Sequence, residues 1–123
     1  MIFANTNKEI TLIYSSEKHI GRQILAYANT ENIPIHDIDI SHVELSATHW
    51  ADLAAKMEVE VQDLVNTESP EFLQKFGTVD QLSERDWLKL LVHNPGILMA
   101  PIVMKGDKIV MMKNPHEMLY FVS

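Results

Sequence analysis

The first forty residues alternate between strand and helix patterns, and this order constrains the fold more than any other feature. The segment "EITLIYS" (9–15) has the β-branched and aromatic composition of a buried strand. In the following "HIGRQILAYANTEN", the spacing of Ile20, Ile24 and Tyr27 places them on one face of a helix. The segment "IPIHDIDI" (33–40) alternates, and its apolar residues change sides midway, which predicts a strand buried on both faces at different ends. Strand, helix and strand in this order predict a parallel pair joined by a crossover helix.

The middle of the chain carries a series of short helical patterns. Ser46 or Thr48 can cap a helix in "THWADLAAKME", and further short helices are predicted in "VEVQDLVN" and "TESPEFLQKFG". The clearest pattern is "LSERDWLKLLVHNPG", in which Ser83 is the predicted N-cap and Asp86 completes a capping-box-like start. These patterns predict a helical insertion at about residues 46–94.

The end of the chain predicts a hairpin and a final helix. The sequence Lys105-Gly106-Asp107-Lys108 separates two apolar runs, which is typical of two antiparallel strands joined by a glycine-containing turn. Asn114, followed by a proline, is the predicted cap of the last helix. The whole pattern therefore predicts a single α/β domain over residues 1–123, with a mixed sheet built from β-α-β and β-β-α parts.

Cysteine is absent from all 123 residues. This excludes thiol–disulfide exchange, thiolate nucleophiles and cysteine-based zinc or iron–sulfur sites. The six histidines show no compact ligand spacing, so we expect no metal site and no cofactor. The seven methionines are typical of core filling, with an adaptable contact surface as the alternative interpretation.

The charge of the chain disfavours nucleic acid as a direct partner. The net charge is −7, and only two arginines occur, Arg22 and Arg85. A duplex-binding surface needs clustered Lys and Arg, so a basic protein surface is the better expectation if the chain has a partner. We expect no membrane span and no signal peptide, and a cytoplasmic location is the default.

Three segments together resemble one known family. They are "LIYSSEKHIGRQILAY", "DLVNTESPEF" and "LLVHNPGILMAPIVMKGDKIVM". In this order and spacing they are similar to the arsenate reductase (ArsC) / Spx family of thioredoxin-like, glutaredoxin-like proteins, over roughly residues 10–121. The resemblance implies a thioredoxin-like fold with an inserted helical subdomain.

The same resemblance implies where the reactive site of the family lies. Counting five residues from Tyr14 places His19 at the position of the reactive cysteine of the family. The arginines that bind the oxyanion in the arsenate reductases match Asn66, Ala100 and Lys113, and Pro101 matches a proline held in cis. The resemblance therefore implies a site that has lost its nucleophile and all three arginines.

Five residues around His19 remain candidates for binding a ligand. Ser15 or Ser16 is predicted to cap the turn before the first helix. Lys18 and Arg22 add positive charge, and Gly21 allows a close approach of backbone at the helix N-terminus, where anions are favoured. The alternative interpretation is that these are solvated loop residues.

Two functions from different classes follow from these observations. The leading hypothesis is a cysteine-less, non-enzymatic member of the family that serves as a binding or regulatory module for another protein. For the Spx branch the resemblance implies a transcription complex as the partner. The alternative is a protein that retains a small-ligand site, for an oxyanion or glutathione, at residues 15–22 and beside Pro101. A third hypothesis is a dimer built on an edge strand, with no ligand.

Overall fold

The structure, a computed structural model, describes residues 9–121. The regular elements, in chain order, are strand β1 (Ile10–Tyr14), helix α1 (His19–Thr30), strand β2 (Ile35–Asp39), helices α2 (Ala47–Met57), α3 (Pro70–Phe76) and α4 (Glu84–His93), and strands β3 (Ile102–Lys105) and β4 (Lys108–Met111). Short 3₁₀ helices lie at Val61–Leu64, Pro95–Ile97 and Pro115–Phe121. Within residues 9–121, no helix combines the length and the apolar character needed to cross a membrane.

The chain divides into two compact units. Glu44–Met99 is one, called the helical unit below, and the chain on either side of it is the other, called the sheet unit. Helices α2, α3 and α4 all lie in the helical unit. The hypothesis that the chain is one domain with a helical insertion stays a prediction.

The sheet unit contains a mixed four-stranded sheet in the order β2-β1-β3-β4. Strand β1 pairs in parallel with β2 and antiparallel with β3, with Ile13 opposite Ile38 on one side and Ile102 on the other. Strands β3 and β4 form the predicted hairpin, and its turn begins at Gly106, whose φ of 59° suits a residue without a Cβ. The β-α-β and hairpin predictions are both confirmed.

The core of the sheet unit lies between one face of the sheet, helix α1 and the C-terminal 3₁₀ helix. Its buried members include Leu12 and Val103 from the sheet, Ile24 from α1, and Met118 and Phe121 from the 3₁₀ helix. The hairpin holds the end of that helix, because the ammonium groups of two lysines donate to its carbonyls: Lys105 to Phe121 at 2.7 Å and Lys108 to Tyr120 at 2.8 Å.

The predicted strand in 33–40 is buried at its two ends on opposite sides, as the pattern of isoleucines indicates: Ile33 and Ile40 are buried, and Ile35 and Ile38 are partly buried. Strand β2 is at the edge of the sheet, and its residues His36 and Asp37 are exposed. The alternation of isoleucines indicates a strand, but the number of neighbours that a strand has depends on pairing with distant segments. Here β3 pairs with the other side of β1, so β2 has one neighbour only.

The predicted final helix starts as expected but has a different geometry. The Oδ1 of Asn114 accepts a hydrogen bond from the backbone N–H of His116 at 2.9 Å, which confirms the capping role of this asparagine. The helix that follows, Pro115–Phe121, is a 3₁₀ helix rather than an α-helix. It packs Met118 and Phe121 into the core of the sheet unit.

The helical unit confirms two predicted caps. Ser46 caps α2 and accepts from the backbone N–H of His49, whose Nδ1 in return accepts from the N–H of Ser46 at 3.1 Å. Ser83 and Asp86 form the same reciprocal arrangement at α4, and the resulting hydrogen bonds lower the pKa of Asp86. The buried side chains of these helices form the core of the unit, among them Trp50, Leu53, Phe72, Trp87 and Leu91.

Candidate functional site

The loop between β1 and α1 folds back on its own first residue. Ser15 is 7% exposed, its Oγ accepts from the N–H of Glu17 at 3.2 Å, and its carbonyl accepts from the N–H of Lys18 at 3.1 Å. Helix α1 starts after Lys18, which makes no side-chain capping hydrogen bond. The prediction that Ser15 or Ser16 caps the turn before this helix is confirmed for Ser15, whereas the helix itself has no side-chain cap.

A carboxylate from the neighbouring strand occupies the first amide of the loop. The Oδ1 of Asp39, at the end of β2, accepts from the N–H of Ser16 at 3.0 Å. The same oxygen accepts from the N–H of Ser41 at 3.0 Å and from its hydroxyl at 2.7 Å. The hydroxyls of Ser16 and Ser41 lie 3.0 Å apart, and the Nε2 of His42 is 3.6 Å from the second Asp39 oxygen.

These hydrogen bonds set the ionisation of Asp39. Partial burial raises the pKa of this carboxyl group, but the hydrogen bonds from Ser16 and Ser41 outweigh it and hold the pKa well below its ordinary value. Asp39 is therefore a carboxylate at neutral pH. A negative charge thus already lies where the loop would present its amides to an anionic ligand.

The sequence interpretation missed Asp39, although a signal was present. Parallel strands end at the same edge of a sheet. Because β1 and β2 are parallel and Tyr14 pairs with Asp39, the end of β2 lies beside the loop that follows β1. A polar residue at the end of the second predicted strand was therefore a candidate neighbour of the loop.

Tyr14 is hydrogen-bonded to a second carboxylate of β2, that of Asp37. The phenol of Tyr14 donates a hydrogen bond to Oδ2 of Asp37 at 3.2 Å. Burial, the negative charge of Asp37 and this hydrogen bond together raise the pKa of Tyr14 to about 12. The phenol therefore stays protonated across the physiological pH range.

His19, at the position matched to the reactive cysteine, is the first residue of α1 and is exposed. Its side chain makes no hydrogen bond or ion pair with any residue in the range 9–121. General-base or nucleophilic catalysis by an imidazole requires a group that orients it, and the described part of the chain places none against this ring.

The other charged and small residues of the loop serve its own structure. The Nη1 of Arg22 donates to the carbonyl of Ser16 at 2.7 Å, so this guanidinium is held against the loop backbone. A Cβ added to Gly21 would lie 2.8 Å from the carbonyl oxygen of Ser15 and 3.0 Å from the ring of Tyr14. The close approach that Gly21 permits is therefore between α1 and the end of β1.

The register places Ala100 and Pro101 near the same edge of the sheet. Ile102 lies opposite Ile13, so Pro101 lies beside the end of β1, and its carbonyl accepts from the N–H of Met112 at 2.7 Å. The prediction of a cis bond at Pro101 is wrong, since no peptide bond in the described range is cis. A proline just ahead of a strand removes no ladder hydrogen bond, so the lower-energy trans form fits here.

The two remaining matched positions are Lys113, in the sheet unit, and Asn66, in the helical unit. Lys113 is exposed and follows the end of β4. Asn66 belongs to the helical unit, where its Oδ1 accepts from the N–H of Glu68 at 3.1 Å and its own N–H donates to Ile97. Over residues 9–121 no three His, Asp or Glu side chains are grouped as a metal site would require.

A family profile and the fold agree on the relationship of this chain. The profile of the ArsC family matches residues 6–121. The chain belongs to the ArsC family. Over 113 residues it is 25% identical to the global transcriptional regulator Spx 1 of Oceanobacillus iheyensis, covering 92% of this chain and 86% of that protein. An Spx regulator of Streptococcus mutans is also 25% identical, covering 92% of this chain and 82% of that protein.

Solved structures of ArsC proteins show the same fold. An arsenate reductase from Vibrio cholerae superimposes with a TM-score of 0.78 at 16% identity, over 96% of this chain and all of that one. An arsenate reductase related protein from Brucella melitensis gives a TM-score of 0.65 at 13% identity, over 98% of this chain and 100% of that one. The prediction of a thioredoxin-like α/β fold and the resemblance to the ArsC / Spx family are confirmed.

Proposed function

We propose that this member of the ArsC family is a non-catalytic binding or regulatory module. The observation that carries the proposal is the replacement of the reactive cysteine by His19 in a chain with no cysteine at all. Arsenate reduction in this family proceeds through a bond between arsenic and a thiolate. An imidazole cannot supply that thiolate, and no second thiol is present to resolve it.

The hydrogen bonds of the loop support the same proposal. An oxyanion site at a helix N-terminus needs free N–H groups and, for tight binding, bidentate arginines. Here the N–H of Ser16 is bonded to the Asp39 carboxylate, and the next two amides are bonded to Ser15. The positions matched to the family arginines hold Asn66, Ala100 and Lys113. The alternative, a retained oxyanion or glutathione site, would place an anion beside the carboxylate of Asp39.

We propose another protein as the partner. The named relatives of this chain are global transcriptional regulators, so by analogy the partner belongs to the transcription machinery. The net charge of −7 favours contact with a basic protein surface over contact with a nucleic acid. A cytoplasmic location fits this proposal.

The first experiment tests the loop and the chemistry together. Amide NMR spectra are recorded while arsenate, sulfate and glutathione are added separately, up to about 10 mM, a range that detects even weak binding. We expect no shifts at residues 15–22 or at Ala100, and no arsenate consumption when glutathione is present as reductant. Arsenate turnover would refute the non-catalytic role, and saturable shifts confined to these residues would favour the small-ligand alternative.

A second experiment tests the partner. The purified chain is added to a bacterial transcription complex, and co-elution on size exclusion and promoter output are measured. We expect co-elution that weakens as salt is raised, because the proposed contact is electrostatic. Absence of co-elution at low salt would refute the transcription partner and leave the loss of catalysis untouched.

A further inference from the structure

The helical unit holds a cavity of about 530 Å³. This is within the size range of ligand-binding pockets in proteins. Its walls come from the first 3₁₀ helix and the segment after it, the loop before α4, α4 itself and Met99, so the cavity lies entirely within Glu44–Met99. Of the positions matched to the family arginines, Asn66 lines the cavity, whereas Ala100 and Lys113 do not, and neither does His19.

The lining combines carboxylates with an apolar wall. Asp63, Glu68 and Asp80 line the cavity, whereas no Lys or Arg does. The carboxylates of Glu68 and Asp80 have no hydrogen bond or ion pair with any residue in the range 9–121. The apolar wall is formed by Val65, Trp87 and Met99.

Two features of the apolar wall point to an occupant that is more than a small ion. Met99 is 39% exposed although it is large and apolar, so it offers surface for an aliphatic stem. Trp87 is 6% exposed, and its indole Nε1–H has no hydrogen-bond acceptor in the described part of the chain. Because this N–H is itself buried out of contact with solvent, Trp87 presents its apolar ring rather than a donor to the cavity.

The negative charge around the cavity favours an occupant with positive charge. Glu44–Met99 contains ten Asp and Glu residues against four Lys and Arg, a net charge of −6, whereas the rest of the chain carries −1. A group that enters the cavity therefore gains most if it is cationic and is carried on an apolar stem.

We propose that this cavity receives an arginine or lysine side chain of the protein partner. The inference rests on the proposed function, since it assigns the partner-binding site of the module. Glu68 and Asp80 pair with the cationic head, and the wall of Val65, Trp87 and Met99 packs against its aliphatic stem.

The test uses two matched peptides and the full chain. One is a short capped peptide with a central arginine, and the other replaces that arginine with citrulline, which has the same shape without the charge. We expect the arginine peptide to shift the amides of Glu68, Asp80 and the Trp87 indole N–H, and the citrulline peptide to shift them much less. No shifts with either peptide, or equal shifts with both, would overturn the proposal.

Single substitutions test whether the arginine peptide binds in the cavity or is attracted only by the overall negative charge. Glu68→Gln and Asp80→Asn are each expected to weaken the arginine peptide about two- to fivefold, as removal of one exposed ion pair does. Glu44→Gln, the same loss of charge at an exposed position outside the cavity, is expected to leave the affinity unchanged. Equal weakening by Glu44→Gln would overturn the proposal in favour of a diffuse field.

Spermidine, a free amine without a peptide backbone, forms the last arm of the test. Tighter binding of spermidine than of the arginine peptide would overturn the protein partner and indicate a small-amine site. These results do not depend on arsenate turnover or on shifts at residues 15–22, so failure here is distinguishable from failure of the non-catalytic role.

Discussion

The loop after β1 and the cavity of the helical unit differ in how their polar groups are used. In the loop, the amides of Ser16, Glu17 and Lys18 are bonded within the protein, and an internal carboxylate takes the place of an anion. In the cavity, the carboxylates of Glu68 and Asp80 make no hydrogen bond or ion pair with the described residues. The position that carries chemistry in the family is satisfied from within, while a different region retains groups that a partner can engage.

This difference teaches that polar groups can be used in two ways in one chain: the amides of the loop stabilise its own structure, whereas the carboxylates of the cavity are available to a partner. Here Asp39 and Ser15 use those amides as structural hydrogen bonds, so the loop now contributes to stability. Each prediction below tests one side of this contrast.

The largest expected effect comes from Gly21, where α1 meets the loop. In Gly21→Val, the side chain would collide with the Ser15 carbonyl, which lies 2.8 Å from an added Cβ, and with the ring of Tyr14. We expect a loss of about 3 kcal/mol in the free energy of unfolding, measured by urea denaturation, as for an overpacked core. Gln23→Val introduces the same residue at an exposed position of α1 and should cost less than about 1 kcal/mol. Equal losses in both variants would mean that the close packing does not matter.

Asp39→Asn tests whether the internal carboxylate holds the loop. We expect a loss of about 1–2 kcal/mol in the free energy of unfolding at neutral pH, since hydrogen bonds to an ionised group are replaced by weaker ones. The matched variant Asp107→Asn, in the exposed hairpin turn, should change stability by less than about 0.5 kcal/mol.

The pH dependence of the stability loss in Asp39→Asn follows from the direction in which folding shifts the pKa of Asp39. Hydrogen bonds hold the pKa of Asp39 below its ordinary value in the folded chain. Its contribution is therefore complete above the unfolded pKa of about 4 and declines as the pH falls below it. Urea denaturation of wild type and Asp39→Asn should give curves that converge in acid. A gap that stays constant down to the acid limit would contradict the assigned role of the charge.

The features that the sequence predicted correctly are those that depend on residues close together in the chain. Ser46 and Ser83 cap helices as their spacing indicated, because a cap satisfies amides only two or three residues away. The hairpin around Gly106 was predictable for the same reason. The parallel pairing of β1 and β2 followed from the order of strand, helix and strand.

The features that were missed depend on residues far apart in the chain. The edge position of β2 is set by which strand pairs with the other side of β1. The bond from Ser16 to Asp39 joins positions 23 residues apart, and the pattern around neither of them predicts it.

Tyr14 provides a spectroscopic test of the buried end of β1. Burial first, and then the charge and hydrogen bond of Asp37, raise its pKa to about 12, so the phenolate absorbance of the chain should contain a component that titrates near that pH. The component should be missing in Tyr14→Phe and should move to lower pH in Asp37→Asn. Because the pKa is raised on folding, the contribution of Tyr14 to stability is complete below about pH 10 and is lost as the pH rises toward 12. Persistence of that component in Tyr14→Phe would show that it belongs to another tyrosine and would contradict the assignment.

The smallest expected effect is that of His19→Cys, and it decides whether the loop lacks only its sulfur. His19 is exposed and makes no hydrogen bond or ion pair with the described residues, so stability should change by less than about 0.5 kcal/mol. We expect no arsenate reduction with glutathione, because the new thiol lies beside amides that Asp39 and Ser15 already use and has no arginine to hold the oxyanion. His19→Ser is the control for background reduction. Turnover in His19→Cys above that control would mean that the loop still admits an oxyanion, and addition of Asp39→Asn should then raise the rate further, because it removes the negative charge beside the loop.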